Sequence, residues 1–339
     1  MHTTTQRLEF LEAPSRHLPL PFQTIVSQGL AAAHKHLPCR FFYDTPGSHL
    51  FEQICGLPEY YPTRTEQAIL QRHAYELIAQ AGSDLTLVEF GSGSSAKTRL
   101  LMDALLARQS HLHYLPIDIS RDFLHHSSLA LLTEYPHLSI TAIAGEYNDA
   151  IDALPRDSGP RLFLFLGSNI GNFERPEAIA FLHRIRRRMR PEDRLLMGVD
   201  LVKDRAVLEA AYNDAAGVTA AFNKNILLRC NRELQANFDL TQFDHHAPFV
   251  PAESRIEMRL VSRCEQTVTL GATGESFDFR AGEILHTEHS HKYTLSDVYT
   301  LCRQAELETL ACRQDERGWF NLSLLAPLCW ASERNIQGW

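Results

Sequence analysis

The 339-residue sequence predicts a doubly wound α/β fold with a second, α+β domain. Three observations predict it. Five short apolar runs recur at regular spacing with helical patterns between them. Beyond Asp200 the rhythm changes to alternating, strand-like pieces. The chain then closes on a helix followed by a hairpin pattern.

The five runs are Leu85–Phe90, His113–Asp118, Leu138–Ile143, Arg161–Leu166 and Arg194–Val199. Runs this apolar fit strands covered on both faces, and their spacing leaves room for crossover helices. Residues 203–223 read as helical, and an Asn- and Phe-rich stretch after them reads as irregular. Arg255–Val261, Gln266–Leu270 and Ser276–Phe279 alternate, which implies a sheet with one wet face. A helix from Ser296 to Ala305 takes Ser296 as its N-cap. Leu307–Cys312 and Trp319–Leu325 then flank the turn Asp315-Glu-Arg-Gly318 as a hairpin. Residues 66–202 and 292–339 are therefore assigned to the Rossmann-like domain, and 1–65 with the insertion 203–291 to the second.

Bulk properties narrow the function classes. A net charge of −8 gives no electrostatic case for nucleic acid or an anionic membrane. Seven cysteines, Cys39, Cys55, Cys230, Cys264, Cys302, Cys312 and Cys329, are scattered and never form a CxxC pair. Free thiols are the expectation, rather than zinc or disulfides. No stretch approaches the roughly 20 apolar residues that span a bilayer, and residues 1–14 lack a leader-like apolar core. The expected location is cytoplasmic. The sequence sets no oligomeric state, and a monomer is compatible with it.

Glu89-Phe-Gly91-Ser-Gly93 follows a strand and precedes the helix that starts at Thr98. Glycines there allow close backbone approach to a ligand, and the helix start offers unbonded N–H groups. Asp118 ends the second strand, where an acid can accept from both ribose hydroxyls. Gly145-Glu146-Tyr147 closes the third, where an adenine would lie. A dinucleotide is the rival ligand, but its third glycine is replaced here by Ala96, which favours S-adenosylmethionine.

Longer motifs add a resemblance. Phe42-Tyr-Asp44, Gly56-Leu-Pro-Glu-Tyr-Tyr-Pro-Thr-Arg-Thr-Glu66, Lys97-Thr-Arg99 and Phe165-Leu-Gly-Ser-Asn-Ile-Gly-Asn172 occur in order. They are followed by Ala211-Tyr-Asn-Asp-Ala-Ala-Gly-Val-Thr-Ala220, Asn231-Arg-Glu-Leu234, Arg255-Ile-Glu-Met258 and Thr287-Glu-His-Ser290. With these the chain resembles the histidine-specific N-α-methyltransferases of ergothioneine biosynthesis, from about Phe41 to Leu325. The resemblance implies a class I methyltransferase fold with a substrate-binding second domain. It also implies that S-adenosylmethionine is used to trimethylate histidine at its α-amino group, giving hercynine. Carried over by position, cofactor contacts fall on Gly91, Lys97, Asp118, Glu146 and Tyr147. Substrate contacts fall on Tyr60, Asn172, Tyr212, Met258, Glu288 and Ser290. Tyr43 and Tyr60 take the catalytic positions near the accepting nitrogen, and no metal is implied. One departure is Glu146, where the family often has Asp, so the adenine contact differs in reach.

The same residues have plainer readings. Tyr60 and Tyr61 would be half-buried turn aromatics, Asn172 a left-handed turn residue, Glu288 a solvated strand glutamate and Tyr212 a core residue. The seventeen histidines, His245, His246, His286, His289 and His291 among them, read as scattered surface groups with no metal expected. Three other functions remain on the sequence: methylation of another aromatic amino acid amine, NAD-dependent oxidoreduction, and S-adenosylmethionine binding without catalysis.

Overall fold

A computed structural model describes residues 7–13, 21–155 and 159–328; Cys329 lies outside them. In chain order the elements are β1 (Leu8–Glu12), α1 (Phe22–Ala31), α2 (Thr45–Cys55), α3 (Tyr61–Ala81), β2 (Thr86–Phe90), α4 (Thr98–Leu106) and β3 (Leu112–Asp118). Next come α5 (Arg121–Glu134), β4 (Leu138–Ala144), α6 (Tyr147–Ala153), β5 (Arg161–Phe165), α7 (Arg175–Arg186) and β6 (Arg194–Asp200). These are followed by α8 (Arg205–Tyr212), α9 (Val218–Leu234), β7 (Phe243–His246), β8 (Phe249–Val250), β9 (Arg255–Ser262), β10 (Gln266–Leu270) and β11 (Glu275–Phe279). The last four are β12 (Ile284–His291), α10 (Leu295–Gln304), β13 (Leu307–Gln314) and β14 (Phe320–Pro327). The chain forms two compact units, Met1–Pro14 with Thr65–Leu201 and Tyr293–Trp339, and Ser15–Arg64 with Val202–Lys292.

In the first unit an eight-stranded sheet runs in the order β1-β4-β3-β2-β5-β6-β14-β13. Strands β1 to β6 are parallel, and β14 and β13 add antiparallel as the closing hairpin. Alternate residues of β2 divide between two apolar layers. Leu87 faces a core with Ile69, Leu77 and Leu101, while Val88 and Phe90 face one with Ile151, Phe181 and Leu301. Strand order reverses between β2 and β5, which puts a ligand crevice at the carboxyl ends of those strands.

Three local expectations are corrected. Residues 8–12 pair with β4 instead of joining the second domain, with Leu8 and Phe10 packed on one face of the sheet core. The helix after Tyr293 is capped by Thr294, whose hydroxyl accepts from Asp297 N at 3.1 Å while Asp297 answers its N–H at 2.8 Å. This capping box outcompetes the serine two residues on. The stretch expected to be irregular after 223 continues as α9 to Leu234.

The second unit pairs β12-β9-β7 antiparallel, with β8 also on β9, and β10 with β11 as a ribbon. Strand β9 alternates buried and half-buried residues, as a one-faced sheet must. Its motif residues are largely structural. Asp44 caps α2 through Gly47 N at 2.8 Å and accepts from Asn225 at 2.7 Å and Arg232 at 2.7 Å. Asp214 caps α9 through Val218 N and Thr219 N, with Gly217 left-handed at φ +75.

Candidate functional site

The first unit gathers its candidate residues on the loops that follow β2, β3, β4 and β5. Gly91 has φ +70, and a Cβ there would fall 2.6 Å from the Tyr147 hydroxyl and 2.9 Å from the Asn169 amide nitrogen. Only glycine fits this crossing of two loops. Gly93 N–H donates to Asp118 Oδ2 at 3.0 Å and Ser120 N–H to Oδ1 at 2.9 Å. Burial raises the Asp118 carboxyl above its usual value, and the Ser120 and Gly93 amides pull against that. A carboxylate has about four acceptor positions, so two amides leave capacity for a pair of hydroxyls. Glu146 is exposed at the N-cap of α6, next to half-buried Tyr147.

Lys97 is held from a residue that the sequence reading did not single out. Glu66, fully buried on α3, forms an ion pair with Lys97 Nζ and accepts Gly167 N–H at 2.9 Å. A Cβ at Gly198 would collide with the Glu66 carboxylate, so this glycine makes room for it. Glu89, in the glycine motif itself, ties β2 to the start of α4. It accepts from Thr98 Oγ1 at 2.7 Å and from Tyr114, and burial pushes its carboxyl up to about 7. Asn172 ends a short 3-10 turn and is half-buried. The left-handed residue of that turn is Ser168, at φ +64, and Asn172 is not left-handed. Ser168 takes that strain with its hydroxyl fixed, accepting from Asp200 N at 2.9 Å.

The second unit places Tyr43, Tyr60, Tyr212, Met258, Glu288 and Ser290 around a shared aromatic cluster and strand β12. Tyr60 and Tyr212 are buried with ring centroids 6.1 Å apart, edge to face. Burial and the neighbouring Tyr212 push the Tyr60 hydroxyl well above the usual phenol range. Tyr43 stays half-buried, and Phe51 stands between the two candidate catalytic tyrosines, 5.7 Å from Tyr43 and 6.3 Å from Tyr60. Phe222 of α9 closes the cluster at 5.6 Å from Tyr43. Neither phenylalanine was singled out from sequence.

A β-bulge decides which way Glu288 points. The β12–β9 register shifts between His286 and Glu288, so Glu288 lies opposite Met258 and Ser290 opposite Ile256, on the buried face of β9. Without the extra residue the alternation of β12 would carry the two to the other face. Glu288 is 8% exposed and makes no side-chain hydrogen bond to a described residue. Burial pushes its carboxyl up to about 7, with Lys292 pulling it back. A mostly buried acid that no described residue answers is open to a donor from a ligand or from water. Lys292 itself, missed from sequence, is fully buried and donates to Tyr212 Oη and Ser290 Oγ at 3.0 Å each.

The histidines are not all surface groups. His291 is buried, and the His286, His289 and His291 rings stand in a row with centroids 6.0 and 5.1 Å apart. His245 bridges Asn223 and the Tyr212 carbonyl. All six cysteines among the described residues are free thiols. No helix of the described residues is long and apolar enough to cross a membrane.

A switch-point sheet closed by an antiparallel hairpin, with a glycine turn after β2 and a carboxylate ending β3, is the form of a class I S-adenosylmethionine-dependent methyltransferase. The loop that only glycine can occupy and the spare capacity of Asp118 fit that cofactor. A family described as histidine-specific methyltransferase, SAM-dependent, matches residues 22–327, and the chain belongs to it. It is 46% identical over 299 residues to a histidine N-alpha-methyltransferase of Mycolicibacterium smegmatis, covering 88% of this chain and 92% of that one. A protein of the same name from Mycobacterium tuberculosis is 45% identical over 301 residues, covering 89% and 93%. Ergothioneine biosynthesis protein 1 of Neurospora crassa is 36% identical over 200 residues, 58% of this chain and 23% of that longer protein.

Proposed function

We propose that the chain methylates the α-amino nitrogen of L-histidine, up to three times, to give hercynine for ergothioneine biosynthesis. The observation that carries the choice of histidine is Glu288. A buried carboxylate with no hydrogen bond to a described residue, beside the Ser290 hydroxyl, is suited to a ring that offers a polar N–H. A site built to hydrogen-bond a ring can reject one lacking those groups by about 10⁴. The names of the relatives support the same reading.

Gly91, Lys97, Asp118, Glu146 and Tyr147 would hold S-adenosylmethionine, with Asp118 on the ribose hydroxyls and Glu146 towards the adenine amine. When bound, this cofactor supplies a sulfonium methyl carbon and a neutral thioether leaving group. Asn172 has amide donors for the substrate carboxylate, and Tyr60 is a second contact to the carboxylate or the amine. The Tyr212 proton goes to Ser290 at 2.9 Å, so Tyr212 takes part mainly through its ring and that bond. Tyr43 offers an oxygen and a ring face to a nitrogen gaining positive charge. Positioning of this kind is worth roughly 7–11 kcal/mol of a barrier. The amine gives up its proton to water before each transfer, so none of these residues serves as a strong base.

Mass spectrometry of histidine incubated with S-adenosylmethionine and the protein tests this reading. Products carrying one, two and three added methyl groups are expected. A product that stops at one, or turnover of tryptophan in preference to histidine, would overturn it.

A further inference from the structure

A serine hydroxyl can donate to a substrate ring or accept from it, and the hydrogen bonds within the second unit decide which Ser290 does. Ser290 Oγ receives Lys292 Nζ–H at 3.0 Å and the Tyr212 O–H at 2.9 Å, and Lys292 Nζ reaches Tyr212 Oη at 3.0 Å as well. The three atoms form a near-equilateral triangle, all buried. A serine hydroxyl has two acceptor lone pairs and one proton. Both lone pairs are taken, so the proton is what Ser290 has left to offer.

Lysine makes this sense difficult to reverse, because an ammonium donates and never accepts. It also donates to Tyr212 Oη, which keeps the Tyr212 proton directed at Ser290 and leaves the Ser290 proton to point elsewhere. Lys292 is 0% exposed, and its ammonium lies 4.8 Å from the Tyr212 ring centroid, which fixes where it sits. Glu288, two residues before Ser290 on the same face of β12, is an acceptor when ionised. The strand therefore presents one acceptor and one donor, about two residues apart.

Resting on the histidine reading, we propose that Lys292 is a positioning residue that fixes Ser290 as a hydrogen-bond donor. The site then takes an uncharged imidazole, as the tautomer with its N–H on Glu288 and its bare nitrogen on Ser290. A ring that keeps the N–H but has a C–H in place of the bare nitrogen leaves the Ser290 proton without a partner.

Pyrrol-2-ylalanine and pyrrol-3-ylalanine test this, since each keeps one ring N–H and replaces the other nitrogen by C–H. Whichever nitrogen meets Glu288, one isomer differs from histidine only at Ser290. For the better isomer, wild type is expected to lose on the order of tenfold to a hundredfold in kcat/KM against histidine, mostly in KM. In Lys292→Met the Tyr212 oxygen can accept the Ser290 proton, and the gap should shrink to about threefold. Ser290→Ala should shrink it equally, and the double variant should add nothing further. A wild-type gap that Lys292→Met leaves intact, or no gap in wild type, overturns the proposal.

If Lys292→Met does not fold, Tyr212→Phe reads the same network. A gap that survives there supports Lys292 as the residue that sets the sense, and a gap that vanishes assigns the role to Tyr212. Failure of the histidine reading looks different. Wild type would then leave histidine unmethylated, or Glu288→Ala would keep wild-type histidine kinetics.

Discussion

In the first unit the carboxylates of Glu66, Glu89 and Asp118 are answered by donors of the protein itself: Lys97 and Gly167 N–H, Thr98 and Tyr114, and the Gly93 and Ser120 amides. In the second unit Glu288 is buried too, yet no described residue donates to its side chain. Burial pushes Glu89 and Glu288 to the same value, about 7, so titration alone does not separate a structural carboxylate from a binding one. Hydrogen bonding does. The cofactor side is built in advance, with its acids holding loops in place. The substrate side leaves one acid for a ligand to satisfy, and selectivity enters there.

Removing an answered carboxylate should therefore disturb structure first. For Glu66→Ala, a loss of about 3–5 kcal/mol in unfolding free energy is expected, because it removes a fully buried carboxylate that answers both Lys97 and the Gly167 N–H. Urea unfolding with an unchanged slope measures it. A loss under about 1 kcal/mol would mean that the pair is incidental.

Asp118→Ala should act next most strongly, through the cofactor. It removes the proposed ribose contacts, at about 1.5–3 kcal/mol each, and frees the Gly93 and Ser120 amides. Calorimetry is expected to show S-adenosylmethionine binding at least a hundredfold weaker, with intrinsic histidine affinity little changed. Equal losses for both ligands would make Asp118 a folding residue only.

Glu288→Ala should behave in the opposite way, sparing the fold and changing the choice of substrate. A ring N–H left without an acceptor in a dry pocket costs roughly 1–3 kcal/mol. Histidine kcat/KM should fall tenfold to a hundredfold, while the rate with tryptophan holds or rises. Small, equal effects on both amino acids would return Glu288 to the status of an ordinary strand residue.

Five of the six parallel strands were legible because both of their faces are apolar, as strands covered on both sides are. Strand β1 was not, since at the sheet edge Leu8-Glu-Phe-Leu-Glu12 is only half-buried and its two exposed glutamates interrupt the apolar run. The continuation of α9 beyond 223 was hidden because Asn223 and Asn225 are buried and bonded, to Arg259 O and to Phe42 O, where an amphipathic pattern wants apolar residues. The candidate site residues came from long motifs whose other members prove structural, Asp44 and Asp214 among them. Glu66 and Lys292 could not be told from surface charges, because sequence does not record burial. The bulge at Thr287 likewise shows only in the ladder, yet it decides which face Glu288 occupies.

The smallest effect expected is on pH dependence. Burial is the main cause of the high Glu288 value, and the Lys292 charge opposes it without cancelling it. Cys39 also couples to Glu288, but burial pushes its thiol up to about 12, well outside the working range. Between the ordinary carboxyl value of 4.5 and about 7, the folded protein keeps a Glu288 proton that the unfolded chain has released. Stability from this group therefore falls as pH rises through that window. Binding runs the other way, because only the ionised carboxylate accepts the ring N–H on either oxygen. From pH 6 to pH 8 its ionised share rises from roughly one-tenth to nine-tenths, about tenfold. Histidine's own ring and amine also titrate there, so the comparison is with Glu288→Gln, an acceptor of fixed charge. Wild-type KM for histidine should improve about tenfold more over that interval than the variant's does. The variant should also melt higher than wild type at pH 8 and level with it below pH 4.5. Parallel KM profiles would show that Glu288 is already ionised at pH 6, and that a donor within the second unit answers it as the amides answer Asp118.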